Sequence, residues 1–166
     1  MKALYITGFM GSGKTTVGKA LGARLSLPVI DTDEQVEQKR GCSIREIFAK
    51  QGESAFRELE TMVLKELPTN DVIITTGGGI VGKEENRNWM KRHGTVFYLY
   101  CDPHAIIERI KEDTARPLFQ SDDIPGFLEL FRSRQGWYEQ AHYKVDTTDK
   151  NINDIVKEIE AVIKQS

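Results

Sequence analysis

The chain has 166 residues, 39% of them apolar, which is enough for one domain with a full core (residues 1–166) and too few for a second. Its 23 Lys and Arg against 25 Asp and Glu leave a formal charge of −2, which argues against a nucleic-acid binder held by bulk electrostatics. No apolar stretch reaches membrane-span length and no signal peptide is evident, so a cytoplasmic monomer with neither nucleic-acid nor membrane partners is expected.

The first predicted strand, 2–7, runs into Gly8-Phe9-Met10-Gly11-Ser12-Gly13-Lys14-Thr15, a complete G-x-x-x-x-G-K-[ST] loop followed by a helical pattern. Its glycines let successive N–H groups turn toward phosphate oxygens, and the helix adds its positive N-terminal end. Lys14 can reach the β- and γ-phosphates, and the Thr15 hydroxyl can ligate Mg²⁺. Nucleotide binding follows; the acceptor of the phosphate does not.

The second predicted strand, 28–31, ends in Asp31-Thr32-Asp33. If the backbone stays extended, Asp31 and Asp33 point to the same side, one toward metal-bound water and one toward an acceptor hydroxyl. The plainer alternative is a cap, supplied by Thr32 or Asp33, for a helix starting near Glu34. Next, Ser43-Ile44-Arg45-Glu46 forms a capping box that opens a short helix. From Ala55 to Leu67 a longer helix carries Phe56, Leu59, Val63, Leu64 and Leu67 on one face. Arg57, among glutamates on that helix, reads by itself as a solvated charge.

The third strand, 72–75, precedes Gly77-Gly78-Gly79, which permits either close approach of a ligand to bare backbone or simply a tight turn. Many phosphate-loop enzymes carry an acidic metal ligand at such a strand end. Only threonines and glycines occur here, so metal binding falls to Thr15 and another acid, and Asp31 is the candidate. A fourth strand, 95–100, leads to Asp102-Pro103, a cap and first-turn proline starting a helix to about Glu112. Residues 113–123 are charged and broken by Pro117; Arg116 there suits a mobile lid closing over phosphates. A last strand, 143–146, and a closing helix, Asn153 to Ile163, complete the chain.

Strands alternating with helices imply an α/β fold: a five-stranded parallel sheet flanked by helices on both faces. Cys42 and Cys101 show no metal-ligand spacing and read as reduced, partly buried thiols. His93, His104 and His142 lie in separate elements and receive no catalytic role.

Together these motifs resemble the shikimate kinase family, within the nucleoside-monophosphate-kinase-like group of P-loop folds. The likeness spans essentially the whole chain: the loop G-F-M-G-S-G-K-T, the D-T-D at 31–33, Phe56-Arg57-Glu58-Leu59-Glu60 as F-R-x-x-E, the triple glycine, Arg116-Pro117-Leu118 as the lid R-P-L, and Arg134 with Tyr138 as R-x-x-x-Y. The resemblance implies ATP-dependent phosphorylation of the shikimate 3-hydroxyl, a step toward chorismate and the aromatic amino acids. It further implies that Gly11, Ser12, Gly13, Lys14, Thr15, Thr16, Arg109 and Arg116 bind ATP. Asp33, Arg57, Gly78, Gly79 and Arg134 would bind shikimate, with an acceptor-binding helical region at about 33–61. Thr15 would hold Mg²⁺ directly and Asp31 through water, and Lys14, Asp33 and Arg116 would carry catalysis. Residues 146–150 lie where the family contacts adenine. Two other functions stay open on the residues alone: a related kinase of gluconate or a nucleotide, and a catalytically silent nucleotide-binding regulator.

Overall fold

The computed structural model describes residues 1–112 and 123–165. Five strands, β1 (Ala3–Thr7), β2 (Val29–Asp31), β3 (Ile73–Thr75), β4 (Gly94–Tyr100) and β5 (Tyr143–Asp146), pair in the order β2-β3-β1-β4-β5. Every pairing is parallel, as the alternating pattern requires. The helices are α1 (Lys14–Leu25), α2 (Thr32–Arg40), α3 (Ile44–Glu66), α4 (Glu84–His93), α5 (Pro103–Glu112), α6 (Ile124–Tyr138) and α7 (Ile152–Gln165), with a 3-10 turn at Ile80–Gly82.

Side-chain alternation on β1 builds two cores at once. Tyr5 sits in register with Ile74 and Val96, and this face packs against Phe9, Met90, Phe127 and Phe131. Leu4 and Ile6 share the opposite face with Ile73 and Phe97, covered by Val17 and Leu21 of α1 and by Ile155, Val156 and Ile159 of α7. The three α7 residues lie within the apolar stripe expected for the closing helix. Burying each such side chain contributes about 1.5–3 kcal/mol.

A third, smaller core lies apart from the sheet. Val36 of α2 packs with Ile47, Phe56 and Val63 of α3. The two helices expected at Ser43 and Ala55 are halves of α3, joined at a kink where Gly52 takes φ 86° and ψ 170°. That left-handed φ favours glycine. The Ser43 cap forms as expected, its Oγ accepting from the Glu46 N–H at 3.1 Å. The return contact differs: Glu46 Oε1 accepts from the Ser43 hydroxyl rather than from its N–H.

One expectation fails in detail. The backbone is not extended through Asp33, because α2 begins at Thr32 and Asp31 is itself its N-cap. Asp31 Oδ1 accepts from the N–H groups of Asp33 (2.9 Å) and Glu34 (3.2 Å). A carboxylate that satisfies two first-turn donors and meets the positive helix end stabilises a start two residues earlier than the sequence suggested.

Candidate active site

The loops after the five strands open at one edge of the sheet, where open parallel sheets present ligand sites. The phosphate loop follows the central strand β1. Gly11 and Gly13 adopt φ of 80° and 92°, the left-handed turns that curl the loop. Within it Lys14 Nζ donates to the carbonyls of Gly8 (2.7 Å) and Phe9 (3.0 Å). Burial lowers the Lys14 ammonium to about 8, although Asp33 and Asp31 pull it upward. Ser12 is buried, whereas Thr15 and Thr16 are exposed on the first turn of α1. Arg109 of α5 reaches back to the loop, donating to the Gly11 carbonyl at 3.3 Å.

Asp31, Thr32 and Asp33 divide three tasks. Asp31 Oδ2 accepts from the Thr75 hydroxyl at 2.8 Å, tying the end of β2 to the end of β3. The Thr32 hydroxyl accepts from the Gly77 N–H at 3.1 Å, locking α2 to the triple glycine. Asp33 is left half-buried, its carboxylate accepting no hydrogen bond among the described residues. Burial, then the neighbouring Asp31, raises its carboxyl to about 6, with Lys14 and Arg57 opposing the rise.

The triple glycine works through what it lacks. A β-carbon on Gly77 would sit 2.6 Å from Asp33 Oδ1, one on Gly78 3.4 Å from Arg134 Nη1, and one on Gly79 2.6 Å from Arg57 Nη1. The places of the Gly77 and Gly79 side chains are thus taken by Asp33 and Arg57, and Gly78 lies in contact with Arg134. The triple glycine is therefore more than a turn: it makes room for side chains of α2 and α3. The N–H groups of Gly78 and Gly79 donate to no acceptor among the described residues, leaving two backbone donors beside two guanidinium groups.

Arg57 is not a solvated charge. Only 22% of its side chain is exposed, and it pairs with Glu60 at 3.0 Å and Glu53 at 3.4 Å. Glu60 is completely buried; burial lifts its carboxyl to about 7 against the pull of Arg57, and its Oε2 has no partner among the described residues. Arg134 of α6 lies over the Phe9 ring, 5.8 Å from its centroid. Glu53, Arg57, Gly79, Lys83, Arg134 and Trp137 line one open pocket. Arg116 and nearly all of the lid at 113–123 lie outside the described residues.

Glu60 and Tyr138 were named within motifs but given no role. A glutamate three residues after an arginine looks like a surface pair. The signal available was its place one turn before Val63 and Leu64, on the apolar side of the helix.

The arrangement has two chemical halves. One offers curled backbone, Lys14 and Arg109 to a polyphosphate. The other offers a carboxylate to a hydroxyl, and two guanidinium groups with free N–H donors to an anion. Among the described residues no group of three or more His, Cys, Asp or Glu gathers as a metal site. A hard cation there would use phosphate oxygens and water with few protein ligands. That fits Asp31, whose oxygens retain lone pairs beyond the bonds described, and the exposed Thr15 hydroxyl.

Known proteins match the chain over almost its whole length. The family model for shikimate kinase matches residues 10–164. A shikimate kinase of Bacillus anthracis is 57% identical over 165 residues, covering 99% of this chain and all of that protein. The solved shikimate kinase of Acinetobacter baumannii in complex with shikimate superposes with a TM-score of 0.89 at 36% identity, covering 99% of this chain and 94% of that one. The Aquifex aeolicus shikimate kinase gives a TM-score of 0.83 at 39% identity, covering 98% and 96%.

Proposed function

The chain belongs to the shikimate kinase family, and from that premise we propose how its residues share the work. It is a phosphotransferase that moves a phosphoryl group from ATP to the 3-hydroxyl of shikimate, in the route to the aromatic amino acids. Full-length identity with shikimate kinases favours this over the gluconate, nucleotide or silent-regulator alternatives. One observation carries the residue assignment: Asp33 and Arg57 fill the places of missing β-carbons on Gly77 and Gly79, and Arg134 lies within contact distance of Gly78 between them.

Arg57 and Arg134 grip the shikimate carboxylate, with the Gly78 and Gly79 N–H groups as further donors. Asp33 accepts from the 3-hydroxyl and orients its oxygen for attack; with its carboxyl held near 6 it is largely ionised at neutral pH. The loop from Gly11 to Thr16 cradles the ATP phosphates, with Arg109 alongside. Lys14 leaves its loop carbonyls for phosphate oxygens, where it and Arg116 offset charge on the transferring group. Mg²⁺, held by Thr15 and through water by Asp31, supplies charge neutralisation for the β- and γ-phosphates when bound.

No helix among the described residues is long and apolar enough to cross a membrane; we place the protein in the cytoplasm, as a monomer. The direct test is incubation with Mg²⁺, ATP and shikimate. Stoichiometric ADP and shikimate 3-phosphate are expected. Folded protein that gives neither would overturn the proposal.

A further inference from the structure

We propose that Tyr138 is a positioning residue for the acceptor, whose hydroxyl aims the Gly79 N–H and the Arg134 guanidinium at the acceptor carboxylate. The inference rests on the assignment of this pocket to the shikimate carboxylate. Tyr138 ends α6, four residues after Arg134 and so on the same helical face. It is 1% exposed, and its hydroxyl donates to the Gly78 carbonyl. A trans peptide is rigid and planar, with its C=O and N–H pointing in opposite directions. Fixing the Gly78 carbonyl therefore fixes the direction of the Gly79 N–H, which has no acceptor among the described residues; Gly79 itself lines the pocket of Arg57 and Arg134.

The same hydroxyl has one proton, and it is committed to Gly78. Its lone pairs are left for a donor, and the Arg134 guanidinium stands beside the same peptide, its Nη1 3.4 Å from where a Gly78 β-carbon would lie. One oxygen thus fixes the Gly79 donor through its peptide and offers an acceptor to the neighbouring Arg134 donor. The oxygen is itself held by packing: the Tyr138 ring stacks on Tyr98 with centroids 4.9 Å apart and planes 14° from parallel. The Tyr98 hydroxyl in turn donates to Gln135 Oε1 at 2.9 Å. Donors fixed in advance of binding lose little entropy when the ligand arrives.

Tyr138→Phe keeps the ring and its stack and removes only the hydroxyl. Its shikimate KM should rise about tenfold, with kcat and the ATP KM changed less than twofold, because a remote carboxylate contact contributes to ground and transition states alike. Tyr98→Phe removes a hydroxyl from the other side of the stack and should leave the shikimate KM unchanged. Equal KM changes in both variants, or a lowered unfolding temperature with unchanged KM in Tyr138→Phe, would make the hydroxyl merely structural and overturn the proposal. Wild-type turnover of shikimate, measured in parallel, tests the assignment of the pocket separately from the role of Tyr138.

Discussion

Gly79→Ala replaces one hydrogen with a methyl group, yet it should act at Arg57, twenty-two positions away in the chain. Gly79 has φ −96° and ψ 2°, a conformation open to alanine, so the backbone raises no objection. The objection is space. The new methyl would lie 2.6 Å from Arg57 Nη1 and 2.7 Å from Cζ, with Nη2 nearer still. The guanidinium must retreat by about 1 Å to restore van der Waals separation. It is the far end of a flexible side chain, so folding stability should change by less than about 1 kcal/mol. The acceptor carboxylate, however, loses a charge-assisted contact of about 1.5–3 kcal/mol. At about 1.4 kcal/mol per factor of ten, the shikimate KM rises about ten- to hundredfold. Steady-state ADP release at varied shikimate and saturating ATP measures this, with thermal unfolding alongside. Gly77→Ala makes the contrasting case: its methyl would crowd Asp33 Oδ1 at 2.6 Å, so kcat should fall while shikimate KM moves less than about threefold. If Gly79→Ala left the shikimate KM unchanged, or both variants lost the same parameter, the reasoning from missing β-carbons would be wrong.

Other consequences are open to measurement. In the free enzyme Asp33 must be ionised and Lys14 protonated, so kcat/KM should form a bell with limbs near pH 6 and pH 8. Asp33→Asn should erase the acid limb and lower kcat by about 10²–10⁴, and an acid limb that survives would remove Asp33 from that role. Arg134→Ala should raise the shikimate KM at least about tenfold with the ATP KM within twofold; equal losses for both ligands would count against a carboxylate fork. Glu60 bears on stability. Burial raises its carboxyl from 4.5 to about 7, so between those values the folded state binds more protons than the unfolded. Its contribution, up to about 3 kcal/mol, is complete below pH 4.5 and lost as the pH rises to about 7. Asp33, also raised, adds to the same slope. Glu60→Gln should therefore flatten the fall in denaturant stability between pH 5 and pH 8, and an unaltered slope would contradict the burial argument.

The sheet was legible because its strands are short apolar runs punctuated by glycine, proline and acids, and all five were located to within one residue at each end. The phosphate loop was legible because its backbone requirements leave few alternatives to glycine. Asp31-Thr32-Asp33 was harder. Whether a strand continues or a helix starts there is decided by a long-range partner, the Thr75 hydroxyl on Asp31, together with capping, and no local pattern records that partner. Glu60 was obscured by its spacing from Arg57, which on an exposed helix face would mean little. Helix α6 was not delimited: Pro125, Gly126 and Gly136 interrupt its pattern, and packing of Phe127 and Phe131 on Phe9 supplies what local propensity does not.

The separate small core beneath α2 and α3 has a consequence for how the molecule comes apart. Val36, Ile47, Phe56 and Val63 give these helices a cohesion of their own, and Gly52 divides α3 within it. Once the Thr32–Gly77 and Asp31–Thr75 bonds break and Leu64 leaves the first core, such a unit can open as a sub-global block while the sheet stays closed, exchanging its amide hydrogens at a lower free energy than β1 or β4. Asp33 and Arg57 ride on this block, whereas the triple glycine and Arg134 belong to the rest of the molecule. An acceptor that bridges them staples the block in place, so its binding energy doubles as the local stability of α2 and α3.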